Sequence, residues 1–401
     1  MKSIYSLYRI GPGPSSSHTM GPKNAALQLR KRYPRADSFS VDLYGSLART
    51  GKGHLTDAVL RDTLGKGTSI NWFPEQQLPE HPNGLVIHAY NASGKELGFW
   101  KGYSTGGGAV HEEAKPETEP EVYEQNKFAD YITYAEEIGG NLWDIVRSAE
   151  GAGIEDFLFG VWQAMESSVE GGLRKEGILP GGLRLARKAK SFYKKARRNN
   201  PVFQRTGLLA SYALSVAEEN AAGGTVVTAP TCGSAGVLPS VLYYVKDFFA
   251  LDKEDIFTGL ATAAVVGNVV RTNASISGAA VGCQGEVGTA CAMASAAACQ
   301  LMGGSLAQIE YVAEMGMEHH LGLTCDPLEG LVQIPCIARN AVAAMRALDC
   351  ADFSLLSDGR HRISFDSVVE VMNETGRDLS SNYKETSLGG LARLGLYNRR
   401  I

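Results

Sequence analysis

The spacing of apolar and polar positions changes character near residue 127. Before it, strand and helix patterns are mixed. Phe39, Val41 and Leu43 alternate with Ser40 and Asp42, the two-residue period of a half-buried strand. Residues 85–90 and 96–100 are apolar runs flanking Asn91-Ala92-Ser93-Gly94-Lys95, which reads as a hairpin. Gly21-Pro22 opens a helical run through Ala25, Ala26, Leu27 and Leu29, with proline well placed in the first turn. From residue 127 onward, apolar positions recur every three or four residues through Ala-rich segments. Gly-rich turns interrupt them at 222–240, 273–288 and 322–336. Residues 111–124, rich in Glu, Pro and Lys, read as a solvated linker. The expected fold class is α+β: a small mixed domain at 1–116, a linker at 117–126 and a larger, mainly helical domain at 127–401.

Composition narrows the field of functions. A chain of 401 residues with 44% hydrophobic and 20% charged content is an ordinary globular protein. Its 39 basic and 43 acidic residues leave no broad basic surface, so neither nucleic acid nor an anionic membrane is an expected partner. The apolar stretch at 261–270 is interrupted by Gly267 and Asn268 and followed by Arg271, so it reads as a buried helix and not a membrane span. The N-terminus lacks the apolar core of a secretory signal. Seven cysteines with no pairing pattern fit a reducing cytoplasm.

Three of those cysteines stand in chemically suggestive places. Cys283 lies in Val-Gly-Cys-Gln-Gly-Glu-Val-Gly, Cys325 in Leu-Thr-Cys-Asp-Pro and Cys336 in Ile-Pro-Cys-Ile, 42 and 11 residues apart. That spacing has no paired zinc knuckle in it. A single buried cysteine is more often a small hydrophobe. Three soft thiolates on separate Gly/Pro turns instead suit an iron–sulfur cluster with one iron left open, where it acts as a Lewis acid.

Other turns carry acid–base and anion-binding groups. Ser15-Ser16-Ser17-His18-Thr19 sits between Gly11-Pro12-Gly13-Pro14 and the helix opened by Gly21-Pro22. Hydroxyls at a helix N-terminus make a cradle for a carboxylate, although serines there also serve simply as caps. His54 follows Gly51-Lys52-Gly53, a turn without the order of a phosphate loop. The two histidines form a plausible acid–base pair. Asn273 and Ser275, in Asn-Ala-Ser-Ile-Ser-Gly, offer further donors to an anionic substrate, whereas His319-His320 point to different helix faces and read as packing. The role of Cys232 stays open.

Taken together, these strings closely resemble the iron–sulfur-dependent L-serine dehydratases, or L-serine ammonia-lyases, of bacteria. The resemblance runs from Ser-Ser-Ser-His-Thr-Met-Gly-Pro through Met317-Glu318-His319-His320 and Cys325-Asp326-Pro327 to Tyr383-Lys384-Glu385-Thr386-Ser387. It implies fused β and α domains and a [4Fe–4S] cluster on Cys283, Cys325 and Cys336. It also implies active-site roles for His18 and His54, substrate contacts at Ser15, Ser16, Ser17 and Thr19, and conversion of L-serine to pyruvate and ammonia. A homodimer is expected. Relatives often end in a cysteine that reaches the cluster. This chain ends Asn398-Arg399-Arg400-Ile401, so water or the Ile401 carboxylate is the expected cap. Rival readings are a cysteine desulfidase, a non-catalytic amino-acid sensor and a pyridoxal-phosphate lyase. The last is disfavoured because no lysine occurs between Ala261 and Ala338.

Overall fold

The structure is a computed structural model that describes residues 1–113, 121–198, 201–385 and 389–394. The first half of the order is β1 (Ile10–Pro12), α1 (Gly21–Arg32), β2 (Ser38–Tyr44), α2 (Gly45–Thr50), α3 (Thr56–Leu64) and β3 (Ser69–Phe73). Strands β4 (Gly84–Tyr90), β5 (Glu96–Gly106) and β6 (Ala109–Glu112) complete one sheet in the order β3-β2-β4-β5-β6. Within this sheet, among the described residues, β2–β3 is the one parallel pairing. Phe39, Val41 and Leu43 are buried while Ser40 and Asp42 are half-buried, so the alternation in β2 is the pleat itself. Leu29 of α1 and Leu60 of α3 close the core over Val41, Ile87 and Trp100. Leu27 faces outward instead.

The remainder is helical: α4 (Phe128–Glu137), α5 (Leu142–Glu150), α6 (Ile154–Arg174), α7 (Ala189–Ala196) and α8 (Pro201–Ala221). After strand β7 (Thr225–Val227) come α9 (Val237–Phe249), α10 (Lys253–Asn273), α11 (Gly278–Val281) and α12 (Thr289–Leu301). The last are α13 (Leu306–Glu318), α14 (Cys336–Leu355) and α15 (Phe365–Asp378). Asn141, Asp252 and Ser305 cap α5, α10 and α13 by accepting backbone N–H groups of their first turns. Helix α12 is apolar or small on every side and almost wholly buried. It packs against α9, α10, α13 and α14, as a helix without a polar face must. Helix α10 holds the stretch 261–270 and is buried as expected.

Two features depart from the sequence reading. The three-residue strand β7 pairs antiparallel with β1, and Met1, Ile4, Leu7 and Tyr8 join the helical core. A strand that short leaves too little alternation to be seen. The stretch read as a solvated linker is structured at both ends. His111 and Glu112 pair with β5, and Tyr123 is buried beside Tyr131, its carbonyl taking the Met1 ammonium. Among the described residues, no helix is long and apolar enough to cross a membrane.

Gly21 marks the place where the Ser/His turn enters α1 against β5. A Cβ there would lie 2.0 Å from Ser104 Oγ and 2.8 Å from Ser104 Cβ, and Ser104 is fully buried. Gly21→Ala should therefore lower stability by about 1–3 kcal/mol in denaturant titrations. Adding Ser104→Gly should return part of that loss, because it removes the atoms that clash.

Candidate active site

The Ser/His turn is built to fix one imidazole. Ser15 Oγ accepts the His18 N–H at 3.0 Å and caps a π-helical turn over Ser16–Met20 that runs into α1. Asn220 of α8 donates to Pro14 O at 2.9 Å and ties the turn to the helical body. Thr19 Oγ1 donates to His54 O at 2.7 Å, and Thr56 Oγ1 donates to His18 O at 2.6 Å. These reciprocal bonds bring the two histidines together, with ring centroids 4.5 Å apart. Ser15, Thr19 and Thr56 thus act on the histidine backbones.

Both rings are buried and neutral near neutral pH. Burial pushes the His18 imidazole down to about 4, against a hydrogen bond at Ser46 that holds it up. Burial, and then the charge of His18, pushes His54 well below the usual range. Ser17 Oγ lies 2.9 Å from His18 Nδ1 and donates to Glu385 Oε1 at 3.2 Å. Ser17 has one proton to give, so in this arrangement His18 Nδ1 is the donor to Ser17. That leaves the lone pair on Nε2, 3.1 Å from Ser46 Oγ. The buried Nδ1 of His54 has no hydrogen-bond partner among the described residues.

The second wall is made of thiols. Cys283 precedes a π-helical turn over Gln284–Gly288, and Cys336 begins α14. The Cys325 N–H donates to Tyr383 O at 2.8 Å. The ligand atoms of Cys283, Cys325 and Glu286 all lie within 4.8 Å of one another. Glu286 Oε2 is 3.7 Å from Cys325 Sγ and 4.0 Å from Cys283 Sγ, and Oε1 accepts from Thr231 Oγ1 at 2.8 Å. Contact with Cys283 and then burial raise the Cys325 thiol; burial raises Cys336. Arg339, one turn along α14, interacts electrostatically with all three cysteines and donates to Thr324 O at 2.6 Å. Three soft donors beside a guanidinium fit a thiophilic metal centre that carries negative charge. At Gly278 a Cβ would lie 2.6 Å from Glu286 Oε2 and 3.0 Å from Cys325 Sγ, so only glycine leaves the donors their room.

Two carboxylates join the walls. Glu385 Oε1 lies 3.5 Å from His18 Nδ1, and burial holds this carboxyl above the usual range. Glu286 is raised by burial and then by the charge of Glu385. Between the lobes is a cavity of about 240 Å³, lined by Ser46 and Arg49 from the sheet lobe and by Ala279, Lys384 and Glu385 from the helical lobe.

The structure thus brings Ser15, Ser16, Ser17, His18, Thr19 and His54 into one buried wall and Cys283, Cys325 and Cys336 into the other. Asn273 and Ser275 are not part of this group. The Asn273 amide donates to Asn126 O and Val269 O, closing the end of α10, and Ser275 Oγ accepts the Ser277 N–H. His319 and His320 place Nδ1 against Met315 O and Gly316 O, and the His319 side chain is half-exposed. Cys232 is buried beneath Glu286, whose charge, after burial, raises its thiol. The C-terminal residues 395–401, with the expected Ile401 cap, lie outside the described residues. Glu286, Glu385, Arg339 and Ser46 were not anticipated. Glu286 stood inside the Cys283 motif, but nothing in the spacing linked Glu385 to His18.

His18 gives stability a pH dependence of defined sign. With a folded value of about 4 against an ordinary 6.5, the unfolded chain binds the proton first. The His18 contribution is complete above pH 6.5 and is lost as pH falls towards about 4. It amounts to roughly 3 kcal/mol. The stability of His18→Gln relative to the natural chain should rise by that amount over this window, measured by denaturant unfolding at each pH.

Comparison with known proteins agrees with this division of labour. The model described as serine dehydratase beta chain matches residues 3–66, and that described as serine dehydratase alpha chain matches residues 110–392. An L-serine dehydratase of Streptomyces coelicolor is 39% identical over 446 residues, covering 97% of this chain and 98% of that protein. L-serine dehydratase 1 of Escherichia coli K12 is 39% identical over 450 residues, covering 98% and 99% respectively. An L-serine dehydratase of Helicobacter pylori is 36% identical over 448 residues, covering 98% of each. With matches of this extent over the regions that carry both walls of the site, the chain belongs to the serine dehydratase family.

Proposed function

We propose that this protein is an L-serine ammonia-lyase, a lyase that dehydrates and deaminates L-serine to pyruvate and ammonia. The observation that carries this reading is the meeting of two neutral, buried imidazoles with three thiols across a carboxylate pair. Cys283, Cys325 and Cys336 would hold a [4Fe–4S] cluster, with Arg339 offsetting its negative charge. When bound, such a cluster supplies Lewis-acid chemistry that assists departure of the serine hydroxyl.

The chain's own groups do the remaining work. Lys384, on the cavity wall, pairs with the substrate carboxylate. The Nε2 lone pair of His18 faces Ser46 at the cavity and is placed to take the α-proton, with His54 packed behind it. Ser17 passes the orientation of the ring to Glu385. Ser16 and Ser17 complete the polar wall, and Ser15 and Thr19 hold the histidine backbones. The enamine that forms tautomerises to an imine and hydrolyses in water without a further catalytic group.

The same proposal divides the chain at residues 117–126 and places it in the cytoplasm. The seven cysteines, all free and buried, support a reducing compartment. It also makes the enzyme a homodimer, a reading supported by the exposed Phe203 and Phe248.

After anaerobic reconstitution with iron and sulfide, the protein should release pyruvate and ammonia from L-serine and lose activity in air. Activity of metal-free protein that depends on added pyridoxal phosphate would overturn the reading. His18→Ala and His54→Ala should each lower turnover by about 10²–10⁴-fold with the cluster absorbance unchanged. Changing Cys283, Cys325 or Cys336 to Ser should instead remove the absorbance. Cluster retention in all three variants would show that the ligands lie elsewhere.

A further inference from the structure

A second cavity, of about 570 Å³, opens between α13, α14 and the segment 357–364, and shares no lining residue with the cavity at Glu385. Its size is within the range of small-molecule sites. On its α13 wall is Glu314, whose residue is only 5% exposed. The glutamates one turn away on either side are engaged or solvated. Glu310 faces His361 Nε2 at 3.9 Å and accepts the Phe365 N–H, and Glu318 is half-exposed beside His319. Glu314 has no hydrogen bond or close ion pair among the described residues; burial and then the charge of Glu318 hold its carboxyl up, against the opposing pull of His361 and His319. A buried carboxylate without a partner is costly unless a cation or donor comes to it.

The opposite wall offers the complementary charge. Arg346 of α14 lines the same cavity, is exposed, and makes no hydrogen bond or ion pair with any described residue. Cys350 lies in the wall and registers both groups. Burial pushes its thiol up to about 12, Arg346 pulls it down, and Asp349 and Glu314 push it up. The body of the cavity is aromatic. His361 stacks flat on Tyr311 at 4.7 Å with an interplanar angle of 4°, and Phe353 meets Tyr311 edge-on at 6.3 Å. Phe353 remains 58% exposed.

We propose that this cavity binds a free α-amino acid with an aromatic side chain, its ammonium on Glu314, its carboxylate on Arg346 and its ring against Tyr311, His361 and Phe353. The preference for both charges follows from the placement of a mostly buried carboxylate and a guanidinium on facing helices of one cavity. An amine alone would leave Arg346 unused, and a carboxylate alone would leave Glu314 buried without a cation. The ring surface distinguishes the ligand from L-serine, which carries the same α-ammonium and α-carboxylate but has no side chain to cover Tyr311, His361 and Phe353.

Calorimetric titration of the full chain with L-phenylalanine, in the presence of saturating L-serine, tests this. One molecule should bind per chain. 2-Phenylethylamine and 3-phenylpropanoate, each lacking one charge, should bind at least about tenfold more weakly, the worth of one charge-assisted hydrogen bond. Glu314→Gln and Arg346→Ala should each weaken L-phenylalanine by a similar factor while keeping native circular dichroism and L-serine turnover. No binding at millimolar concentration, equal binding by either variant, or displacement by L-serine as strong as by L-phenylalanine would each overturn the proposal. So would a loss of dimer in Glu314→Gln without amino-acid binding to the natural chain, since the cavity would then belong to a subunit contact.

Discussion

Everything at the candidate site depends on keeping ionisable groups away from water. Two imidazoles, two carboxylates and three thiols converge where solvent is nearly excluded. Burial shifts the imidazoles down and the two carboxyls and the Cys336 thiol up, and contact with Cys283 and then burial raise the Cys325 thiol, all towards the neutral form. A neutral imidazole can accept a proton. A thiol held protonated gives up its proton when a metal centre takes its place, so metal occupancy and local charge are linked. Glu286 and Glu385 sit at the junction, one against the Cys325 thiol and the other beside His18.

The fold supplies this exclusion by close approach more than by bulk. Alanine, serine and cysteine around α12 let four helices pack against it, and the cysteine-bearing turns grow from that bundle. Gly278 and Gly21 show the tolerance at two contacts: in each a single methyl group would strike a functional or buried side chain. The sheet lobe is fastened to the bundle through β1–β7, the N-terminal residues 1–8 and the Asn220 bond to Pro14. Those ties fix the His18 wall relative to the cysteine wall, so the geometry of the candidate site is set by contacts far apart in the chain.

Much of this was legible in the residues. The period of β2, the hairpin of β4 and β5 and the proline-led start of α1 each follow from local chemistry that tertiary structure left intact. The Ser/His and cysteine turns announced themselves because Gly and Pro surround reactive groups there. Asn273 shows the limit: an amide in a promising motif was drawn instead to the open carbonyls at the end of α10. Glu385 shows the converse. It lies in the string Tyr383-Lys384-Glu385-Thr386-Ser387, but nothing in that string points to His18; the Cys325–Tyr383 backbone bond brings the two together. Strand β7 was hidden for a simpler reason, being three residues long.

The claim that the two walls work as one unit through Glu385 has a direct test. Glu385→Gln keeps the shape of the side chain and its bond to Ser17 but removes the ionisable group facing His18 and Glu286. L-Serine turnover should be measured on anaerobically reconstituted protein alongside its iron and sulfide content. The account predicts full cluster content with turnover lowered by about 10²-fold or more, the scale of an acid–base contribution. Full cluster content with turnover near that of the natural chain would contradict it.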